Sequence, residues 1–155
     1  MHSITPARLQ DIPTLIDLMA EFYGESGFPL PVANAQAAFT TLLSDARLGG
    51  AWIGWTDDGE PTGHAVLTVC YSMEYGGLRG FVDDLFVRPA ARGQGVAAKL
   101  LDALAADCAV RGVRALHVEV GPDNAIAQRV YARGGFVDSG HMLLTRPLAA
   151  PLHIA

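Results

Sequence analysis

Lysine is nearly missing from this sequence: of 11 basic residues only Lys99 is one, and 16 acidic residues outweigh them to a net charge of −5. Nucleic-acid binding draws much of its affinity from a basic face, so no nucleic-acid partner is expected. Cysteine is also scarce. Cys70 and Cys108 form no CxxC pattern, which signals neither a disulfide framework nor a zinc site, and no metal is expected. Both lie among apolar neighbours and read as small core residues. No apolar run approaches the roughly 20 residues of a spanning helix, so no membrane partner is expected. The segment from Met1 to Arg8 lacks an apolar stretch and Asp11 follows early, unlike a secretory signal, which points to a cytoplasmic location.

What is present is apolar. Half of the 155 residues are hydrophobic and 17% are charged, the reverse of a disordered composition. A chain of this length makes one domain and buries roughly two-thirds of its unfolded surface. The acidic balance suits a small cationic substrate.

Periodicity organises the chain. Ile12, Leu15, Ile16, Met19, Phe22 and Tyr23 recur at helical spacing, with Pro13 tolerated in the first turn. A second helix is predicted over Ala33 to Leu43. Strands are predicted at Ala51–Trp55, Gly63–Tyr71 and Gly80–Val87, with turns at Asp57–Pro61 and Gly76-Gly77, making an antiparallel meander. Val96, Leu100, Leu101, Leu104 and Cys108 form a long helix closed by Gly112. A strand over Ala115–Val120 follows, implying a right-handed parallel crossover. A helix over Asn124–Arg133 stops at Gly134-Gly135, and short strands are expected near Phe136 and at His141–Thr145. One domain over 1–147 and an extended arm over 148–155 complete the expectation.

The chemistry gathers between the third predicted strand and the long helix, in Asp83-Asp84-Leu85-Phe86-Val87 and Arg92-Gly93-Gln94-Gly95-Val96-Ala97. A glycine-bearing loop that opens a helix presents free backbone N–H groups at the positive end of the helix dipole, a site for a diphosphate. Gly93-Gln94-Gly95-Val96-Ala97-Ala98 also fits the dinucleotide pattern GxGxxA, with Glu119 a suitable distance on. That pattern belongs in a tight turn directly after a strand, whereas here five residues, Arg88 to Arg92, intervene.

Arg92-Gly93-Gln94-Gly95-Val96-Ala97 resembles the Q/R-x-x-G-x-G/A motif of the GCN5-related N-acetyltransferase (GNAT) superfamily, with Ala97 in place of the commoner glycine. Asn124 through Phe136 resembles that superfamily's N-x-x-A-x-x-x-Y-x-x-x-G-F signature. Asp83-Asp84-Leu85-Phe86-Val87 looks like the fourth strand of its diamine acetyltransferase-like branch. The resemblance covers nearly the whole chain. It implies an α/β (α+β) fold with a mixed central sheet of six to seven strands and about four helices, strands four and five splayed apart.

The resemblance further implies acetyl-CoA as cofactor and direct acetyl transfer to an amine. Arg92, Gly93, Gln94, Gly95, Val96 and Ala97 would hold the pyrophosphate, mostly through backbone. Leu85, Phe86 and Val87 would line the pantetheine arm, with the Val87 N–H near the thioester carbonyl, and Asn124 would bond the arm. Tyr131 would lie near the CoA sulfur as acid. An alkylamine arrives protonated, with a pKa of about 10.4, so a base is needed. Asp83 matches the branch's base and Asp84 the cation-binding alternative, on opposite strand faces if side chains alternate. Glu119 is an alternative base or water holder, sharing a strand face with His117. Tyr23, Phe28, Glu74 and Tyr75 fall where the family builds its acceptor pocket. His64 and His141 read as satisfied strand histidines. The expectation is N-acetylation of a small primary amine such as a polyamine or amino acid. A protein acetyltransferase and a non-catalytic acyl-CoA-binding regulator are the alternatives, and a homodimer involving the C-terminal arm is expected.

Overall fold

In the computed structural model, which describes residues 1–151, one mixed sheet carries helices on both faces. The order along the chain is β1 (His2–Pro6), α1 (Ile12–Glu25), α2 (Val32–Ser44), β2 (Gly49–Thr56), β3 (Pro61–Ser72), β4 (Gly77–Val87), α3 (Val96–Arg111), β5 (Leu116–Val118) and α4 (Ala125–Arg133). The strands lie in sequence order; β1 to β4 pair antiparallel and β5 joins β4 in parallel. The α+β architecture, the four helices and the parallel β4–β5 pair accord with the sequence reading.

Side-chain alternation in the strands feeds two cores. Ala51, Ile53, Val66 and Phe86 pack under α1 and α2 with Leu15, Leu18 and Phe39. Trp52, Ala65, Leu67 and Val82 pack under α3 with Val96, Leu100 and Leu104. The helix stop at Gly112 is realised in the left-handed conformation, φ 73°, its N–H donating to the carbonyls of Cys108 and Ala109.

The alternation breaks once on β4. Val66 pairs with Asp84 and Leu67 with Val82, so Asp83 is an extra residue without a partner on β3. This β-bulge turns Val82 toward α3 but Asp84 toward α1 and α2, on the side of Val66 and Phe86. The expectation of opposite faces for Asp83 and Asp84 therefore fails, because it assumes an unbroken ladder.

Several other expectations change. Strand β1 was not foreseen; His2-Ser3-Ile4-Thr5-Pro6 offers one large apolar residue and ends in proline, which only an edge strand tolerates. The described residues hold five strands rather than six or seven. Residues 136 to 150 form no strand, His141 is exposed coil, and residues 152–155 of the expected arm lie outside the described residues. Only Leu116–Val118 is strand of the predicted Ala115–Val120, so β5 presents a very short edge for further strands. Cys70 is exposed, near the end of β3, whereas Cys108 is buried.

Gly63 seats β3 tightly against the Val87 end of β4. A Cβ there would lie 2.3 Å from the Phe86 carbonyl oxygen and 3.0 Å from the Val87 Cα. Gly63→Ala should therefore force the strands apart and destabilise the fold by about 1–3 kcal/mol, read as a lowered urea midpoint.

Candidate active site

The loop after β4 makes a single 3-10 turn over Pro89–Ala91, then rises through Gly93 and Gly95, both left-handed at φ 74° and 80°. A Cβ at either glycine would meet nothing within 4 Å, so the backbone there is open to a ligand. No side chain caps α3, which leaves its first N–H groups available at the positive end of the dipole. The polar side chains of the loop are engaged elsewhere. Arg92 Nε donates to the Val87 carbonyl at 2.9 Å and its guanidinium pairs with Glu25. Gln94 donates to the Ala90 carbonyl at 3.0 Å and meets His2 at 2.7 Å. Arg88 grips Glu21 and donates to the Pro61 carbonyl at 2.8 Å. Two arginines thus tie the loop to α1, and the Arg92 N–H donates to the Pro89 carbonyl at 3.2 Å, so the backbone N–H groups open to a ligand begin at Gly93. Val96 is itself buried, anchoring the turn in the core.

Beyond the loop, β4 has a bare edge. Its pairing with β5 stops at Val82 and Val118 while the strand continues to Val87. The Arg88 N–H donates to the Thr62 carbonyl at 2.8 Å, next to the Gly63–Val87 pair. In an alternating antiparallel ladder this aims the Val87 N–H away from β3, toward the bare side. Phe86 is buried against Phe22, ring centroids 5.6 Å apart, and Leu85 and Val87 are half-buried against the α3 core. Of this trio, then, backbone more than side chain faces the open edge.

Helix α4 flanks the same opening. Asn124 caps it, Oδ1 accepting from the Ala127 N–H at 3.1 Å. Tyr131 stands edge-on to Phe136 at 5.5 Å between ring centroids. Burial, and then the Asp84 charge, push its hydroxyl pKa up, so it holds its proton at neutral pH. An open glycine turn, an uncapped helix start and a bare strand edge in line fit an extended cofactor with a diphosphate.

On the α1–α2 side of the bulge lie two adjoining clefts of about 610 and 500 Å³. Both are lined by Tyr23, Asp83 and Asp84; the first adds Met19, Leu42 and Val66, the second Phe22, Phe28 and Pro151. Asp83 opens to solvent, yet the surrounding protein, then Asp84, then Glu119, raise its pKa above the ordinary carboxylate value. Burial and the two aspartates push Tyr23 up to about 12, keeping it a hydrogen-bond donor. Glu119 is exposed just past β5, near enough to act on Asp83. Glu74 and Tyr75 are not brought in. They occupy the β3–β4 turn, where Tyr75 stacks near His117 at 5.7 Å, and line neither cleft. Among the described residues no His, Cys, Asp and Glu cluster could hold a metal.

The sequence signature of the acetyltransferase (GNAT) family matches residues 12–136, from the start of α1 to just past α4. The chain belongs to the GNAT acetyltransferase family. It is an acetyltransferase, and acetyl-CoA is its cofactor. An integron cassette protein, HFX_CASS3, from the mobile metagenome of Cole Harbour Salt Marsh is 48% identical, with a TM-score of 0.89 over 97% of this chain and 93% of that one. Two structures share the fold at lower identity. The aminoglycoside N-acetyltransferase AAC(6')-Iy, in complex with a CoA-linked acetylneamine bisubstrate analogue, is 20% identical, TM-score 0.81, over 96% and 99% of the two chains. A predicted acetyltransferase with acetyl-CoA from Clostridium acetobutylicum is 19% identical, TM-score 0.79, over 94% and 96%. No curated protein sequence matches.

One residue of this GNAT acetyltransferase escaped sequence reading. His64 is a strand histidine as expected, but it is wholly buried, neither ring nitrogen has a hydrogen-bond partner among the described residues, and Nε2 lies 3.7 Å from Asp84 Oδ2. A buried orphan of this kind ordinarily costs about 1–3 kcal/mol. In sequence His64 gives no signal, since its neighbour Asp84 is 20 positions away and the bulge alone joins them.

Raising the Asp83 pKa on folding makes its ionisation unfavourable to the fold. Its contribution is fully present below the unfolded value, about 3.9, and lost as pH rises through the higher folded value. Asp83→Asn should accordingly melt at or above the wild-type temperature at pH 7, the difference closing below about pH 4 in paired thermal scans.

Proposed function

We propose that the protein belongs to the diamine acetyltransferase-like branch and N-acetylates a small primary amine bearing a further positive charge, a polyamine, amino acid or related metabolite, in the cytoplasm. The observation that carries this reading is the pair Asp83 and Asp84 turned together toward clefts walled by Tyr23 and Phe28. Two carboxylates with aromatic walls suit a cation with an apolar portion. The shared fold of an aminoglycoside N-acetyltransferase supports a frame of this kind seating a polycationic amine.

Bound acetyl-CoA supplies an activated thioester. Asp83, its pKa raised by burial and the Asp84 charge, takes the proton that the acceptor ammonium must lose. Asp84 remains as the anchor for the acceptor's charge. As the amine nitrogen bonds to the carbonyl carbon, the Val87 N–H stabilises the negative charge on the oxygen. Tyr131 gives its hydroxyl proton to the departing sulfur as the carbon–sulfur bond breaks. Gly93 through Ala97 hold the diphosphate by backbone N–H groups, the Arg92 N–H at the start of the turn donating to the Pro89 carbonyl. Leu85 to Val87 flank the pantetheine arm, and Asn124 bonds it while capping α4.

Calorimetric titration with acetyl-CoA, with NADH as control, should give binding of acetyl-CoA only. In a thiol-release assay spermidine or another small amine should then drive turnover. Asp83→Asn should lower kcat about 10²–10⁴-fold, and Tyr131→Phe should lower kcat with the KM for acetyl-CoA unchanged. Turnover with peptide N-termini but no small amine would favour a protein acetyltransferase. Tight acetyl-CoA binding without turnover of either would favour a regulator.

We infer a homodimer from a separate observation. Val137, Met142, Leu144 and Leu148 are 85 to 90% exposed in the strandless stretch after α4. Burial of this stretch against a second copy would remove that apolar surface from water. Sedimentation equilibrium should give a dimer mass, with Leu144→Asp shifted toward monomer; a monomeric wild type would refute the dimer.

A further inference from the structure

His64 is the buried polar group for which the acetyl-transfer reading leaves no role. It projects from β3 into the core under α1, its ring 6.4 Å edge-on from Phe22 and 6.2 Å from Phe86. Aromatic carbon surrounds it on these sides and neither offers an acceptor. Both ring nitrogens lack partners among the described residues, and the nearest charge is the Asp84 carboxylate, Oδ2 standing 3.7 Å from Nε2. The Asp84 side chain is 11% exposed, and that remaining face lines both clefts. Asp84 therefore has a dry side toward His64 and a wet side toward the acceptor.

We propose that His64 is a positioning residue, its Nε2–H serving to hold the Asp84 carboxylate toward the acceptor cleft. The inference rests on the reading of the clefts as the acceptor site. In its neutral form an imidazole has one donor and one acceptor nitrogen, and Asp84 Oδ2, 3.7 Å from Nε2, is the acceptor set to take the donor. Closing the gap from 3.7 Å to the roughly 2.8 Å of a charge-assisted bond fixes the tautomer and points the second carboxylate oxygen at the cleft. The other titratable groups facing Asp84 are Tyr23 from α1, Asp83 beside it on β4 and Tyr131 from α4, with Glu119 acting on Asp83. Tyr23 and Tyr131 keep their protons, so they present hydroxyl groups rather than charges toward Asp84. With Asp84 turned between His64 and the acceptor's charge, Asp83 is the member of the pair left to take the acceptor's proton.

Two measurements test this. Long-range ¹H–¹⁵N spectra of the imidazole in the whole protein should show the Nε2–H tautomer in the wild type. In Asp84→Asn, the loss of the anionic acceptor should redistribute the proton toward Nδ1. A wild-type Nδ1–H tautomer, or identical spectra in the two proteins, would overturn the proposal. With spermidine as acceptor, His64→Phe keeps an aromatic ring between Phe22 and Phe86 but removes the donor. It should raise the acceptor KM roughly tenfold, the loss of one hydrogen bond to a charged group, with the KM for acetyl-CoA unchanged. His64→Gln, whose amide donates where Nε2 does, should recover most of that loss. Equal impairment of both variants, or a wild-type acceptor KM in His64→Phe, would refute a positioning role. If the wild type turns over no small amine, the acceptor reading fails, and the spectra alone decide whether His64 and Asp84 are joined.

Discussion

One extra residue in β4 governs the arrangement of the site. Were the β3–β4 ladder regular, Val82 and Asp84 would point to the same sheet face, and one would be wrongly placed: a carboxylate under α3, or a valine in the cleft under α1 and α2. The bulge at Asp83 lets Val82 complete the α3 core while Asp84 turns to the opposite face beside Val66. It also brings the two carboxylates together, and the Asp84 charge then raises the cost of ionising Asp83. At the edge of a cleft, solvent screens that repulsion.

The same strand separates the two halves of the chemistry. Its β3-facing edge is fully committed, whereas its other edge loses β5 beyond Val82 and lies open toward α3 and α4. The glycine-loop side is thus built from backbone groups: an open strand edge, two left-handed glycines and a helix start that no side chain caps among the described residues. The two clefts on the other side are built from side chains under α1 and α2. Arg88–Glu21 and Arg92–Glu25 join the sides, each pair linking the glycine loop to α1. Being partly exposed, each pair contributes little to stability, about 1 kcal/mol or less. What they fix is the loop's position relative to α1.

How far the site was legible depends on the range over which its parts are joined. The glycine loop and the start of α3 are contiguous in sequence, and their roles follow from local backbone chemistry. Asn124 as a helix cap is equally local. The aspartate pair was legible as chemistry but misread as geometry, because period-two alternation holds only for a regular ladder. Glu74 and Tyr75 were drawn in by position relative to the family, yet the β3–β4 turn leads them away from both clefts. His64 had no sequence signal; burial without a partner is a property of the folded environment. The stretches near Phe136 and at His141 to Thr145 read as two short strands by residue type, but a strand exists only where a neighbouring strand takes its hydrogen bonds.

By itself the sequence determined the helices, the meander of β2 to β4, the long helix stopping at Gly112 and the glycine turn before it. Each rests on spacings of a few residues or on a backbone angle that glycine alone adopts readily. Tertiary structure decided which carboxylate faces which cleft, that β1 joins the sheet, that Cys70 is outside and Cys108 inside, and that a buried histidine meets Asp84. Those outcomes depend on register and on partners supplied by distant parts of the chain, and a single inserted residue in one strand reverses them.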